Sequence, residues 1–176
     1  LTDGVNEGDY ATANIDDKTL PQAATISLSG TSTNTSGSVT ATVTLKDNES
    51  GVDATGSKWV YNTIAGNIGT DESSYTNNFT TNPEELTLST TAPGTYYLHV
   101  LTKDVAGNKI ETISEVITVT QLVTGISISP TSVSMNTGNT RQLTATVTPD
   151  NATNKGITWS SSNNGVASVS NSGLVT

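Results

Sequence analysis

The segment SVTATVTL, residues 38–45, places Val39, Ala41, Val43 and Leu45 on one side of any extended chain and polar residues on the other; RQLTATV, residues 141–147, does the same. Side chains that alternate with a period of two line one face of a strand, and a face of this kind is of no use to an unfolded chain. Nowhere do apolar residues recur at i, i+3, i+4 and i+7 over a dozen residues, so no helix longer than a turn is expected. Thr and Ser make up about a third of the chain, and hydrophobic residues only 32%. An ordinary globular domain has roughly 45–50% apolar residues. Thr forms strands and tolerates water, so thin antiparallel sheets with one wet face are the expected product. The chain reads as all-β.

Strand signals come at short intervals between clusters of Gly, Asn, Ser and Pro. They fall at 24–30, 38–45, 58–64, 85–90, 95–103 and 109–120, then again in 123–130, 141–149, 156–162 and 166–170. Six or seven short strands in about a hundred residues fit a two-sheet sandwich. In TYYLHVLTK, 95–103, the set Tyr96, Leu98, Val100 and Thr102 is expected to face inward, leaving Tyr97, His99 and Leu101 outward. Tyr96 follows Pro93-Gly94 at the head of its strand, where a tyrosine corner would turn its hydroxyl back to upstream backbone. Trp59 and Trp159 sit in the third strand of their respective halves, and both are expected in the core.

Charge divides the chain. Of 16 acids and 7 Lys plus Arg, giving a net charge of -9, residues 1–121 carry fifteen acids and five Lys, while 122–176 carry Asp150, Arg141 and Lys155. An acidic balance argues against nucleic acid or an anionic membrane as partner, and no apolar run is long enough to insert directly into a bilayer. There is no Cys, so stability does not come from disulfides. The opening 22 residues hold five acids and one Lys with no period of either kind; they read as an acidic linker or the end of a preceding module. The chain begins with Leu, which suggests a processed or excised piece.

Residues 123–176 contain ISISP, GNTRQLTATVTP, WSSSN and VASVSNSGLVT in that order. The segment resembles the group 2 bacterial immunoglobulin-like domain, found in intimin and invasin type surface proteins and in some phage tail proteins. Residues 24–120, with DNESGV after the second strand and GTYYLHVLTKDVAGN later, are similar to another bacterial immunoglobulin-like repeat. The resemblance implies two tandem immunoglobulin-like β-sandwiches: 1–22 a linker, 23–121 the first module, and 122–176 a group 2 module lacking its last strands. A sandwich without those strands leaves sheet edges and part of its core open. The resemblance further implies a non-catalytic stalk or adhesion segment on a bacterial surface, with neighbouring immunoglobulin-like modules as partners and a host-surface or glycan ligand. A phage virion or surface filament is the alternative setting, and a carbohydrate-binding or receptor-binding module a third.

Catalysis has no constellation to rest on. One His and no Cys make neither a triad nor a zinc site, and no G-x-S-x-G occurs. His99 is expected to be an exposed strand residue. The acidic loop DNESGVD, 47–53, has the wrong spacing for an EF-hand. In an immunoglobulin-like sandwich, however, it lies at the same end as DVAGN, 104–108. Asp47, Asn48, Glu49, Asp53, Asp104 and Asn108 could then converge as hard oxygen ligands for Ca²⁺. The competing reading is that both loops are turns, in which Asp and Asn bond their own backbone and Gly takes positive φ. No other cofactor is expected.

Overall fold

The computed structural model describes residues 17–176. Thirteen strands follow in order: β1 Gln22–Leu28, β2 Ser32–Asn34, β3 Val39–Lys46, β4 Lys58–Asn62, β5 Asn77–Asn78, β6 Glu84–Leu88, β7 Gly94–Lys103, β8 Lys109–Ile113, β9 Ile117–Thr120, β10 Gly125–Ser129, β11 Arg141–Gln142, β12 Thr144–Thr148 and β13 Leu174–Val175. A single 3-10 turn, Glu72–Ser74, is the only helical element among the described residues.

β1, β3 and β6 form one sheet, and β2-β9-β7-β4-β5 another in which β8 also pairs β7. With β1, β3, β4, β6 and β7 taken as strands A, B, C, E and F, and β8 with β9 as strand G, this is the immunoglobulin arrangement of A-B-E on one sheet and G-F-C on the other. The chain switches sheets between β1 and β2: β2 runs parallel to β9, pairing Ser32 with Thr118 and Asn34 with Thr120. β8 and β9 share one edge of β7, pairing His99–Lys103 and Gly94–Tyr96 respectively. The expected single strand 109–120 is therefore broken, at Ser114, whose N–H donates to Leu98 O and whose Oγ accepts from Leu98 N–H, both at 2.9 Å.

The chain divides into two compact units. One comprises the described residues up to Ser27, Ala41–Leu86 and Tyr97–Glu115; the other comprises Leu28–Thr40, Thr87–Tyr96 and Val116–Thr176. The first buries Ala24, Ala41, Val43, Leu45, Phe79, Leu86, Leu98 and Val100, with Val60, Tyr75 and Leu101 as a separate cluster against which Ile68 packs. The period-two pattern of 38–45 is realised in β3, where Val39, Ala41, Val43 and Leu45 are buried.

One face departs from expectation. Leu98 and Val100 are buried as expected, but His99 and Leu101, assigned outward, are also 0% exposed, and Tyr97 is half-buried. The cause is the excursion between β4 and β5, which supplies Ile68 and Tyr75 to cover the side of β7 that a bare strand would leave wet. Trp59 pairs with Val100 in the β4–β7 ladder, so it shares the inward face, half-buried. The hydroxyl of Tyr96 donates to Ala92 O at 3.0 Å, the expected tyrosine corner.

In the second unit, β10 pairs β12 antiparallel and β11 pairs β13. The strands expected at 156–162 and 166–170 are not formed as ladders; only an isolated Val169–Val175 bridge occurs there. A strand needs a partner for its backbone groups, and these sheets have two strands each. Trp159 is half-buried, its ring against Gly173. Beyond Gln121 only Val147 and Ala152 are buried hydrophobic residues, whereas Ile126 and Ile128, on one side of β10, are 59% and 43% exposed.

Candidate functional site

Turn chemistry accounts for most of the acidic loop. Asp47 Oδ2 accepts the Glu49 N–H at 3.1 Å and the Gly51 N–H at 2.6 Å, and Gly51 has φ +87°. Asp53 Oδ1 accepts from Gly56 N–H at 2.8 Å and from the Thr55 hydroxyl. The loop before β8 is laced to it: Val52 bridges Asp104, and Val105 N–H donates to Gly51 O. Asp104 is wholly buried; its Oδ1 accepts the Asn108 N–H at 2.7 Å and its Oδ2 the Asn108 side-chain amide at 2.8 Å.

This lacing brings Asp47 and Asp104 together, as the sequence suggested, but with a partner it did not. Oxygens of Asp17, Asp47 and Asp104 lie within 4.8 Å of one another. Asp17 belongs to the segment read as linker; residues 1–16, including Asp16, lie outside the described residues. Here the entering chain is held down: Asp17 O accepts the Asn108 side-chain amide at 3.0 Å, and the Thr19 hydroxyl donates to Glu49 Oε2 at 2.7 Å. The Thr19 N–H holds the Asp17 carboxyl below the usual carboxylate range.

Most of the other expected ligands are elsewhere. Asp53 turns to Lys103, with Nζ 3.5 Å from Oδ2. Burial pushes its carboxyl up, but the Gly56 N–H, Thr55 and Lys103 outweigh this and hold it low. Asn48 and Glu49 are exposed, and Asn108 stays beside the cluster, its side-chain N–H groups donating to Asp104 Oδ2 and Asp17 O. Nothing in the sequence flagged Asp17 except its place among acids just ahead of the first strand.

Whether these residues suit a cation turns on unused donors. Asp17 Oδ2 and Ser50 Oγ are shielded from solvent with no partner in good hydrogen-bond geometry, although Ser50 lies near enough to Asp17 to help hold its carboxyl low. Oxygens bound to one Ca²⁺ at about 2.3–2.6 Å lie at most roughly 5 Å apart, which the three carboxylates satisfy, and an all-oxygen set of this kind suits a hard cation. The three fit Ca²⁺. No sulfur or imidazole joins them to favour a softer metal.

The strand order, the tyrosine corner and the absence of long helices among the described residues define an all-β protein of immunoglobulin-like build. Residues 122–176 match the family described as bacterial Ig-like domain (group 2). The chain is also similar to an uncharacterized protein of Clostridium acetobutylicum, 47% identical over 55 residues, which are 31% of this chain and 6% of that one. The chain thus spans a small fraction of this curated relative. No solved structure matches the chain. Among the described residues no helix is long and apolar enough to cross a membrane.

Proposed function

We propose that this chain is a non-catalytic structural segment of a bacterial surface protein, a spacer that carries a distal binding element away from the cell envelope. The observation that carries the reading is the group 2 bacterial Ig-like match over 122–176, on a chain whose residues 22–120 have an immunoglobulin-like strand order. Strand ladders and small apolar cores resist unfolding, which suits a spacer. Every described Trp, Tyr and Phe is buried or half-buried, which gives a carbohydrate-stacking reading little aromatic surface to rest on. Protease treatment of intact producing cells is the test: peptides from this chain should be released into the medium without lysis. Release only after lysis would overturn the surface reading.

We propose in addition that Asp17, Asp47 and Asp104 hold Ca²⁺, fastening the chain ahead of β1 to the loops before β4 and β8. A cation that binds only the folded state stabilises it by RT ln(1 + [L]/Kd), about 2.7 kcal/mol at a hundredfold excess over Kd. Melting in millimolar Ca²⁺ should therefore occur several degrees above melting in chelator, and Asp104→Asn should abolish the difference. Equal midpoints for the unsubstituted chain would dispose of the site.

A further inference from the structure

His99 sits in the middle of β7 with both ring nitrogens against oxygen: Nδ1 is 2.8 Å from Glu111 Oε1, and Nε2 is 2.9 Å from the carbonyl oxygen of Ile64. A backbone carbonyl only accepts, so Nε2 carries a hydrogen. The Glu111 side chain, 1% exposed, also accepts from Ile68 N–H, at 3.1 Å to Oε1 and 3.0 Å to Oε2, and from Gly69 N–H at 2.9 Å to Oε2. Two backbone N–H groups and an imidazole converge on this one carboxyl group, a pattern that an acceptor-only carboxylate fits. An ionised carboxylate also only accepts, so Nδ1 must carry a hydrogen as well.

We infer that His99 is a buried imidazolium and that its two N–H groups, with Glu111, form a proton-held latch fastening residues 64–69 over β7 and β8. The rival arrangement is a neutral pair, with a protonated Glu111 donating to Nδ1. It avoids the desolvation cost of a buried ion pair. But a carboxyl group that donates through Oε1 gives up the charge that draws in the Ile68 and Gly69 amides, and both amides remain bound to it.

The surroundings limit what else could set the proton. Across the ladders His99 faces Val60 of β4 and Ile113 of β8, neither of which titrates. From the excursion comes Tyr75, whose hydroxyl donates to Gly69 O at 2.7 Å; burial and the Glu111 charge push that phenol far up, so it stays protonated. The lysines of these strands turn to other acids: Lys109 Nζ is 2.6 Å from Glu72 Oε1, Lys103 reaches Asp53 and Glu72, and the Lys58 charge also acts on Glu72. Among the described residues Glu111 is thus the one carboxylate bonded to the ring. Removing the ring proton leaves a nitrogen lone pair facing an oxygen at either Glu111 or Ile64. Protonating Glu111 weakens its hold on Ile68 and Gly69. The latch is closed between these two events and loosens on either side, uncovering the Val60, Tyr75 and Leu101 cluster.

Nitrogen-15 NMR of the labelled full chain, which has one His, tests this directly. At neutral pH both ring nitrogens should be protonated and the Glu111 carboxyl carbon should report a carboxylate. On alkaline titration, loss of the ring proton should coincide with shifts of the Ile68 and Gly69 amides and with about tenfold loss of their hydrogen-exchange protection beyond the intrinsic pH effect. Glu111→Gln should leave one bare ring nitrogen at the same neutral pH; if that variant does not fold, the native titration decides. A bare nitrogen beside a protonated Glu111 in the native chain would overturn the proposal, as would a ring that loses its proton while Ile68 and Gly69 stay unchanged.

Discussion

Tyr96 shows how one hydroxyl can fix the path of a loop. It donates to Ala92 O at 3.0 Å while accepting from the Thr90 hydroxyl at 3.3 Å, closing the turn between β6 and β7. Tyr96→Phe keeps the ring and strands the carbonyl, so it should cost about 1 kcal/mol, the typical net worth of such a bond. For a domain of this size that lowers the melting midpoint by roughly 4–8 °C, measurable by calorimetry. Glu72 poses a question of sign. The Lys109 hydrogen bond and charge hold its carboxyl below the ordinary 4.5. A depressed folded-state value contributes stability that is present above pH 4.5 and lost as the pH falls through the lower folded value. Glu72→Gln should therefore lower stability slightly at neutral pH and flatten the acid limb of a stability-against-pH curve, the two chains converging at the acid end; because Glu72 is solvated, the difference should be small. Of these two residues only Tyr96 could be read from sequence, since its role depends on neighbours in a single turn. Glu72 needs Lys109, which only the fold brings beside it.

Strands and loops were legible to different degrees for the same reason. β3 was plain because one period explains it: each alternate residue is apolar, and each is buried. β7 was only half legible, because its second face is covered by an excursion with no period of its own, and an alternating pattern cannot announce what will pack over its polar side. His99 was misread on that account. The loops that carry Asp47 and Asp104 were placed at the same end by the sandwich topology, but Asp17 enters from a segment with no strand signal, so its arrival beside them is a tertiary fact. Burial also ranks the elements energetically. Leu98→Ala, at a site 0% exposed, should cost about 2–5 kcal/mol, whereas Ile126→Ala, at a site 59% exposed, removes little that is shielded from water and should change stability by less than about 1 kcal/mol. Urea unfolding of the two variants would check the contrast; equal losses would mean that β10 is packed more tightly than its exposure indicates.

For the molecule as a whole, the unequal distribution of apolar burial makes the reading of 23–121 as a self-sufficient module testable. Of the seventeen buried hydrophobic residues among those described, fifteen precede Gln121 and two, Val147 and Ala152, follow it. Burial of apolar area is the dominant favourable term in folding, so the residues up to Gln121 should hold most of the free energy that opposes unfolding. What the later segment adds at the joint is polar: Gln121 N–H donates to the Thr153 hydroxyl at 2.7 Å, and Thr153 N–H donates back to Gln121 O at 2.9 Å. Exposed bonds of this type are worth about 0.5–1.5 kcal/mol each. A chain ending at Gln121 should therefore melt in one cooperative transition, within a few degrees of the main transition of residues 1–176. Trp159→Ala in the longer chain should leave that main transition in place while altering only the signal from 122–176. If the shortened chain is unfolded at room temperature, or if Trp159→Ala drags the main transition down by ten degrees or more, the two segments share one cooperative core and the module boundary at 121 is wrong.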